Sequence, residues 1–201
     1  MAVELFSKTL LEEYHAVSVE LEKGAMLFQQ GEPADSFYIV REGRLKMTNY
    51  AESGREFVQG YFNRGQSFGE PPFFTRMPYP ASAVAVTNSI IWKIHRNDFI
   101  ALLRDHFEIH LKLSEVLSER LVYKSMMLNE AAVGESEHRL AMLMNYLRKS
   151  SGAAKGKDFR IPYTRQQLAD MTGLRVETVI RAIKAMEAKG KLSIIEGDIH
   201  F

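Results

Sequence analysis

Residues 164–190 read Thr-Arg-Gln-Gln-Leu-Ala-Asp-Met-Thr-Gly-Leu-Arg-Val-Glu-Thr-Val-Ile-Arg-Ala-Ile-Lys-Ala-Met-Glu-Ala-Lys-Gly. Thr164 followed by Gln167 is a capping box, in which the hydroxyl takes the third helical amide and the glutamine reaches back to the cap. A short helix follows through Leu168, Ala169 and Met171, and Thr172-Gly173-Leu174 supplies a turn in which glycine accepts positive φ. A second helix is predicted from Val176 to Ala188, with Val179, Ile183 and Met186 on its apolar face and Gly190 as its stop. Two short helices joined by a glycine turn form a helix-turn-helix, whose second helix suits the major groove of DNA. Leu192–Ile195 and Ile199–Phe201, around Glu196-Gly197-Asp198, then predict a two-stranded wing.

The face opposite the apolar stripe carries Arg175, Glu177, Thr178, Arg181 and Lys184. An arginine at 181 can fork onto the two acceptors of guanine, and a glutamate at 177 can accept from the amino group of cytosine. Arg175 and Lys184 suit phosphates, as do the two helix N-termini, with Thr164 and Arg165 at the first of them. The charge balance points to the same partner. The 201 residues sum to +1, but residues 1–137 carry 14 Lys/Arg against 19 Asp/Glu, and residues 138–201 carry 12 against 6. An acidic body of −5 is thus joined to a basic module of +6, which fits contact with a polyanion.

Upstream, from about Val17 to Ile94, short alternating runs are broken by glycine, as in Ser18–Leu21, Met26–Phe28, Phe37–Val40, Leu45–Tyr50, Phe57–Phe62 and Ala83–Ile94. Ser53-Gly54 reads as a turn within this series. Strands at that spacing predict an antiparallel barrel or jelly roll. From Asn97 to Glu130 there is no glycine or proline. Phe107, His110, Ser114, Leu117, Leu121, Lys124, Leu128 and Ala131 step by three and four, a heptad seam that predicts a long dimerisation helix. Val133-Gly134-Glu135-Ser136 ends that helix, a further one is predicted over Glu137–Lys149, and residues 150–157 read as a flexible loop.

The reading is therefore α+β with two domains. A jelly-roll sensor occupies 1–97, a dimerisation helix 98–132 and a winged helix-turn-helix 133–201. The chain has no cysteine, which excludes disulfides and any iron–sulfur cluster held by thiolates. No apolar run reaches the about 18 residues of a membrane span, and the N-terminus lacks a signal pattern, so the expected location is the cytoplasm. Neither paired carboxylates nor a His-x-His run supports an enzyme or a metal site.

Gly31-Glu32-Pro33-Ala34-Asp35-Ser36-Phe37-Tyr38-Ile39-Val40, with Glu42-Gly43-Arg44-Leu45, resembles the signature of cyclic-nucleotide-binding domains. Phe68-Gly69-Glu70 and Ala81-Ser82-Ala83-Val84-Ala85 are similar to that domain's phosphate-binding cassette. Residues 164–190 resemble the helix-turn-helix of the Crp/Fnr transcription regulators, and barrel, long helix and winged module follow in that family's order. The resemblance implies a homodimer and double-stranded DNA as partner, bound at palindromic half-sites about 34 Å apart. RNA polymerase joins the expected partners if the chain activates transcription. The resemblance also implies that Glu177 and Arg181 are the principal base-reading pair, with Val176 and Ile180 beside them among the DNA-binding positions of the recognition helix.

It implies an effector pocket around Phe68, Gly69, Glu70, Pro80, Ala81 and Ser82, reached by Lys124 and Ser125 of the dimer helix. Where cyclic-AMP-binding members place an arginine and a small hydroxyl residue, this chain has Pro80 and Ala81. Neither brings a charge or a side-chain donor, which argues against cyclic AMP. Haem stays open as a cofactor, although His15, His95, His106, His110, His138 and His200 show no ligand spacing. The expectation is a DNA-binding regulator with an unidentified effector. The alternative is a small-ligand or cyclic-nucleotide module whose winged helix contacts protein.

Overall fold

The computed structural model describes residues 5–50, 56–153 and 158–201, without the side chains of 131–133. The predicted turn at Ser53-Gly54, most of the 150–157 loop and the Ala131 end of the heptad side chains lie outside the described residues. In chain order the elements are α1 (Lys8–Glu13), β1 (Val17–Leu21), β2 (Met26–Phe28), β3 (Ser36–Glu42), β4 (Arg44–Tyr50), β5 (Glu56–Asn63), β6 (Ser67–Phe68) and α2 (Glu70–Thr75). There follow β7 (Ser82–Ala85), β8 (Ser89–His95), α3 (Arg96–Asp105), α4 (Phe107–Val133), α5 (Ser136–Ser150), α6 (Arg165–Thr172), α7 (Val176–Ala188), β9 (Ser193–Ile195) and β10 (Asp198–His200). The chain forms two compact units, one ending at Glu115 and the other beginning at Val116, within α4.

The first unit packs two antiparallel four-stranded sheets, ordered β1-β8-β3-β6 and β2-β7-β4-β5, in the jelly-roll manner. Its centre is β3. Residues 36–40 are all buried, so this strand is covered on both faces rather than on one. Alternation explains how. Tyr38 and Val40 point between the sheets, into a core with Phe28, Leu45, Met47, Phe68 and Tyr79. Phe37 points the other way, stacking on Phe99 of α3 with centroids 3.7 Å apart and meeting the edges of Phe6 and Phe73. Two aromatic clusters thus grip one strand.

A short helix follows Gly69, and one predicted helix boundary moves. Pro71 and Pro72 stand in the first turn of α2, where a missing amide costs nothing and the fixed φ is already helical. The long helix does not begin near residue 98, because α3 ends at Asp105. His106 (φ −125°, ψ 75°) leaves the helix, and α4 starts at Phe107 and runs 27 residues.

In the second unit, Tyr123 of α4 stacks on Tyr146 of α5, with ring centroids 3.6 Å apart. Leu140 and Met144 of α5, Leu168 of α6, and Val179, Ile183 and Met186 of α7 make its core. The wing is larger than expected. Beside β9 and β10 the backbone of Phe159–Ile161 pairs with β10 and Phe201: Ile161 N–H donates to Ile199 O at 2.8 Å, and Phe159 and Phe201 exchange both bonds.

Candidate nucleic-acid interface

Local chemistry sets the two helices of the module. Thr164 Oγ1 accepts from Gln167 N–H (3.2 Å), while Gln167 Oε1 accepts from Thr164 N–H (2.9 Å), so the capping box is complete. Gly173 ends α6 at φ 69°, a left-handed conformation that a side chain would strain. The chain then enters α7 through Arg175, which is extended (φ −77°, ψ 146°) and supplies no side-chain cap. That leaves the first amides of α7 without the oxygen that Ser, Thr or Asp would provide.

α7 is amphipathic. Val179, Ala182, Ile183 and Met186 are buried, whereas Arg175, Glu177, Ile180, Arg181 and Lys184 are exposed and Val176 and Thr178 half-buried. Among the described residues, the side chains of Arg175, Glu177, Arg181 and Lys184 make no hydrogen bond or ion pair. Glu177 and Arg181 stand four apart, a spacing and order at which a helical ion pair is favourable, yet they do not pair. Several other charges of this unit are paired: Lys189 with Glu137 at 2.8 Å, Arg160 with Asp198 at 2.7 Å, Lys149 with Glu119 at 2.8 Å. Four charges without a partner thus share one helix face.

Thr164 and Arg165 have structural partners as well. The threonine hydroxyl is engaged in its cap, and Arg165 Nη1 donates to Gly197 O at the wing tip (2.6 Å). That tip turns on two positive-φ residues, Glu196 (50°) and Gly197 (88°). No local signal marks the Arg165 contact, which joins residues 32 positions apart.

The sequence-derived effector residues fall in both units. In the first, Phe68, Gly69, Glu70, Ala81 and Ser82 are buried and Pro80 is exposed. Gly69 is left-handed (φ 79°), and a Cβ there would stand 3.3 Å from the Tyr79 ring. Tyr79 lies flat on Phe28 (3.7 Å, 14°), and its hydroxyl donates to Ser36 O at 3.1 Å. Burial, with Tyr38 and Asp35 nearby, pushes its phenol well above the usual value. Ser67 Oγ donates to the Glu70 carboxylate at 2.5 Å, Gln30 N–H donates to Ser82 Oγ at 3.0 Å, and Asn49 Nδ2 donates to Pro80 O at 2.6 Å. Lys124 and Ser125 are exposed on the part of α4 that belongs to the second unit.

A shallow groove of about 560 Å³ borders Asp35, Arg76, Met77 and Arg96. Arg96 is engaged there, donating to Ala34 O at 2.7 Å and lying over the Phe73 ring. On α4, Phe107, His110, Ser114, Leu121, Lys124 and Leu128 are exposed and Leu117 is half-buried.

With this geometry in hand, the chain can be set beside known proteins. The family described as cyclic nucleotide-binding domain matches residues 18–106, and the Crp-like helix-turn-helix domain matches residues 138–200. The chain belongs to the Crp/Fnr family of transcription regulators. Among similar Crp/Fnr proteins is the CRP-like cAMP-activated global transcriptional regulator of Mycobacterium tuberculosis, 27% identical over 174 residues, which are 86% of this chain and 78% of the relative. The transcriptional activator protein anr of Pseudomonas aeruginosa is 25% identical over 182 residues, 90% and 74% of the two chains.

Two solved structures share the fold. The c-di-GMP responsive global regulator CLP of Xanthomonas campestris superposes with a TM-score of 0.72 at 22% identity, covering 96% of this chain and 98% of that one. FixK2 of Bradyrhizobium japonicum gives 0.73 at 19% identity, covering 92% and 91%. The chain is thus a Crp-like DNA-binding regulator with a cyclic-nucleotide-binding-like domain. None of the described helices is long and apolar enough to cross a membrane.

Proposed function

We propose that this Crp/Fnr regulator acts as a homodimer on a palindromic double-stranded operator. Glu177 and Arg181 read base edges, Arg175 and Lys184 hold phosphates, and the signal in the barrel is not a cyclic nucleotide. The observation that carries the DNA-reading part is the set of four charged side chains on one face of α7 without intramolecular partners, in a segment of net charge +6. Leaving an i,i+4 Glu–Arg pair unformed gives up a few tenths of a kcal/mol. Base edges and phosphates offer both groups better-matched partners. Affinity for any duplex should fall steeply with salt, as counterion release requires.

Arg181→Ala should weaken binding to a selected duplex by about 1–3 kcal/mol and relax specificity there, with dimerisation unchanged. Gel-shift titration against selected and scrambled duplexes measures this. A variant that discriminates the two as wild type does removes Arg181 from the readout.

The effector part rests on Pro80 and Ala81 in the cassette and on the Tyr79 and Phe28 rings stacked next to Gly69. A cyclic phosphate there finds no guanidinium or side-chain donor at 80 or 81. The similar proteins are named for different signals, cyclic AMP in one and c-di-GMP in another, so family membership alone names none. Millimolar cyclic AMP should therefore leave the melting temperature unchanged. A ligand at 100 times its dissociation constant would add about 2.7 kcal/mol, and a rise of several degrees refutes the reading.

A further inference from the structure

Ile180 is the exposed apolar side chain on the face of α7 that carries the unpaired charges, with 39% of its surface accessible. The core does not need it. Val179, Ala182, Ile183 and Met186 already fill the buried stripe, each at most 4% exposed. Helix formation does not ask for it either, since a β-branched residue is a poorer helix former than the lysine, glutamate or alanine that usually fill such a position. It follows Glu177 by three residues and immediately precedes Arg181, so it shares the surface that those two side chains occupy. Val176, one turn earlier and half-buried, extends the apolar strip toward the start of the helix.

Within the major groove only one base-edge feature rewards an aliphatic group, the C5-methyl of thymine. A cytosine, adenine or guanine edge in front of Ile180 would instead lose water from its polar atoms without a replacement partner. From this juxtaposition we propose that Ile180 is a specificity-determining residue: it selects thymine in each half-site, at a base pair neighbouring those read by Glu177 and Arg181, through contact with the thymine methyl. The assignment rests on the operator reading above and adds to it a base that no charged side chain of α7 reads.

The test isolates the methyl. Duplexes enriched from a randomised library by the full-length wild-type chain supply the operator. Each thymine in a half-site is then replaced singly by deoxyuridine, which removes the methyl and leaves every hydrogen-bonding atom in place. Wild type should show one position per half-site at which the replacement weakens binding about fourfold, the factor matching about 0.8 kcal/mol per buried methylene-sized group. Ile180→Ser should bind the thymine and deoxyuridine duplexes equally at that position while keeping the wild-type melting temperature. Ile180→Val should keep most of the methyl sensitivity.

An enriched operator with no methyl-sensitive thymine overturns the assignment alone, as does sensitivity that survives in Ile180→Ser. A chain that enriches no sequence overturns the operator reading and the assignment together.

Discussion

Tyr79→Ala is expected to destabilise the first unit by about 3–5 kcal/mol, the range for truncating a buried aromatic ring. Tyr79 is 2% exposed, stacked on Phe28 at 3.7 Å and set against the left-handed Gly69, so no neighbour stands ready to refill its volume. Tyr79→Phe separates packing from polarity. It keeps the ring and removes only the hydrogen bond to Ser36 O, a loss of about 0.5–1.5 kcal/mol.

Urea denaturation of the two full-length variants, followed by barrel tryptophan emission from Trp92, reads both numbers. A Tyr79→Ala loss no greater than that of Tyr79→Phe refutes the stack as a principal support. The buried phenol also sets a direction with pH. Its folded-state pKa is raised, so the unfolded chain ionises first and stability should fall as pH rises above about 10. Tyr79→Phe should make that alkaline decline shallower.

The stacking partner of Tyr79 shows where sequence reasoning reaches and where it stops. The strands bearing Phe28 and Tyr38 were legible because alternation and glycine turns are local signals. That the rings of Phe28, Tyr38, Phe68 and Tyr79 converge depends on register between strands far apart in the chain, which a single sequence does not encode locally. For the same reason the burial of both faces of β3 and the third wing segment at Phe159–Ile161 stayed invisible.

The helix-turn-helix was readable nearly to the residue because its boundaries are chemical. Thr164 with Gln167 opens α6, Gly173 closes it, and the period of α7 separates its buried from its charged face. The break at His106 had no such mark. Neither glycine nor proline stands there, so α3 and α4 read as one helix. Arg165 illustrates the limit at the candidate interface. Composition makes it look like the other cations, and only folding reveals that it reaches the carbonyl at the wing tip while Arg175, Arg181 and Lys184 stay unpaired.

Leu121→Asp is expected to convert the proposed homodimer to monomers and to weaken operator binding by about 10²–10⁴-fold, the loss that follows when two linked half-site contacts become independent. Leu121 and Leu128 are 71% and 74% exposed in the single chain, and Val122 and Met126 are exposed on the same stretch of α4. Four exposed apolar side chains on one stretch of helix mark an interaction surface. In the proposed homodimer this helix would meet its own copy about a two-fold axis, and an aspartate at 121 would bring two like charges into an apolar seam.

In the isolated chain the same substitution touches almost nothing, because Leu121 is already in solvent; the helix-propensity change is at most about 0.7 kcal/mol. The variant should therefore sediment as a monomer while its helical circular dichroism stays close to that of wild type. Its module should still bind DNA, weakly and with a shallower salt dependence, since only one set of phosphate contacts is made at a time. Wild type sedimenting as a monomer at micromolar concentration would remove the homodimer, and Leu121→Asp remaining dimeric would place its interface elsewhere. A variant that is monomeric yet holds the full operator with undiminished affinity would separate DNA reading from dimerisation altogether, leaving Arg175, Glu177, Arg181 and Lys184 of one chain to carry recognition alone.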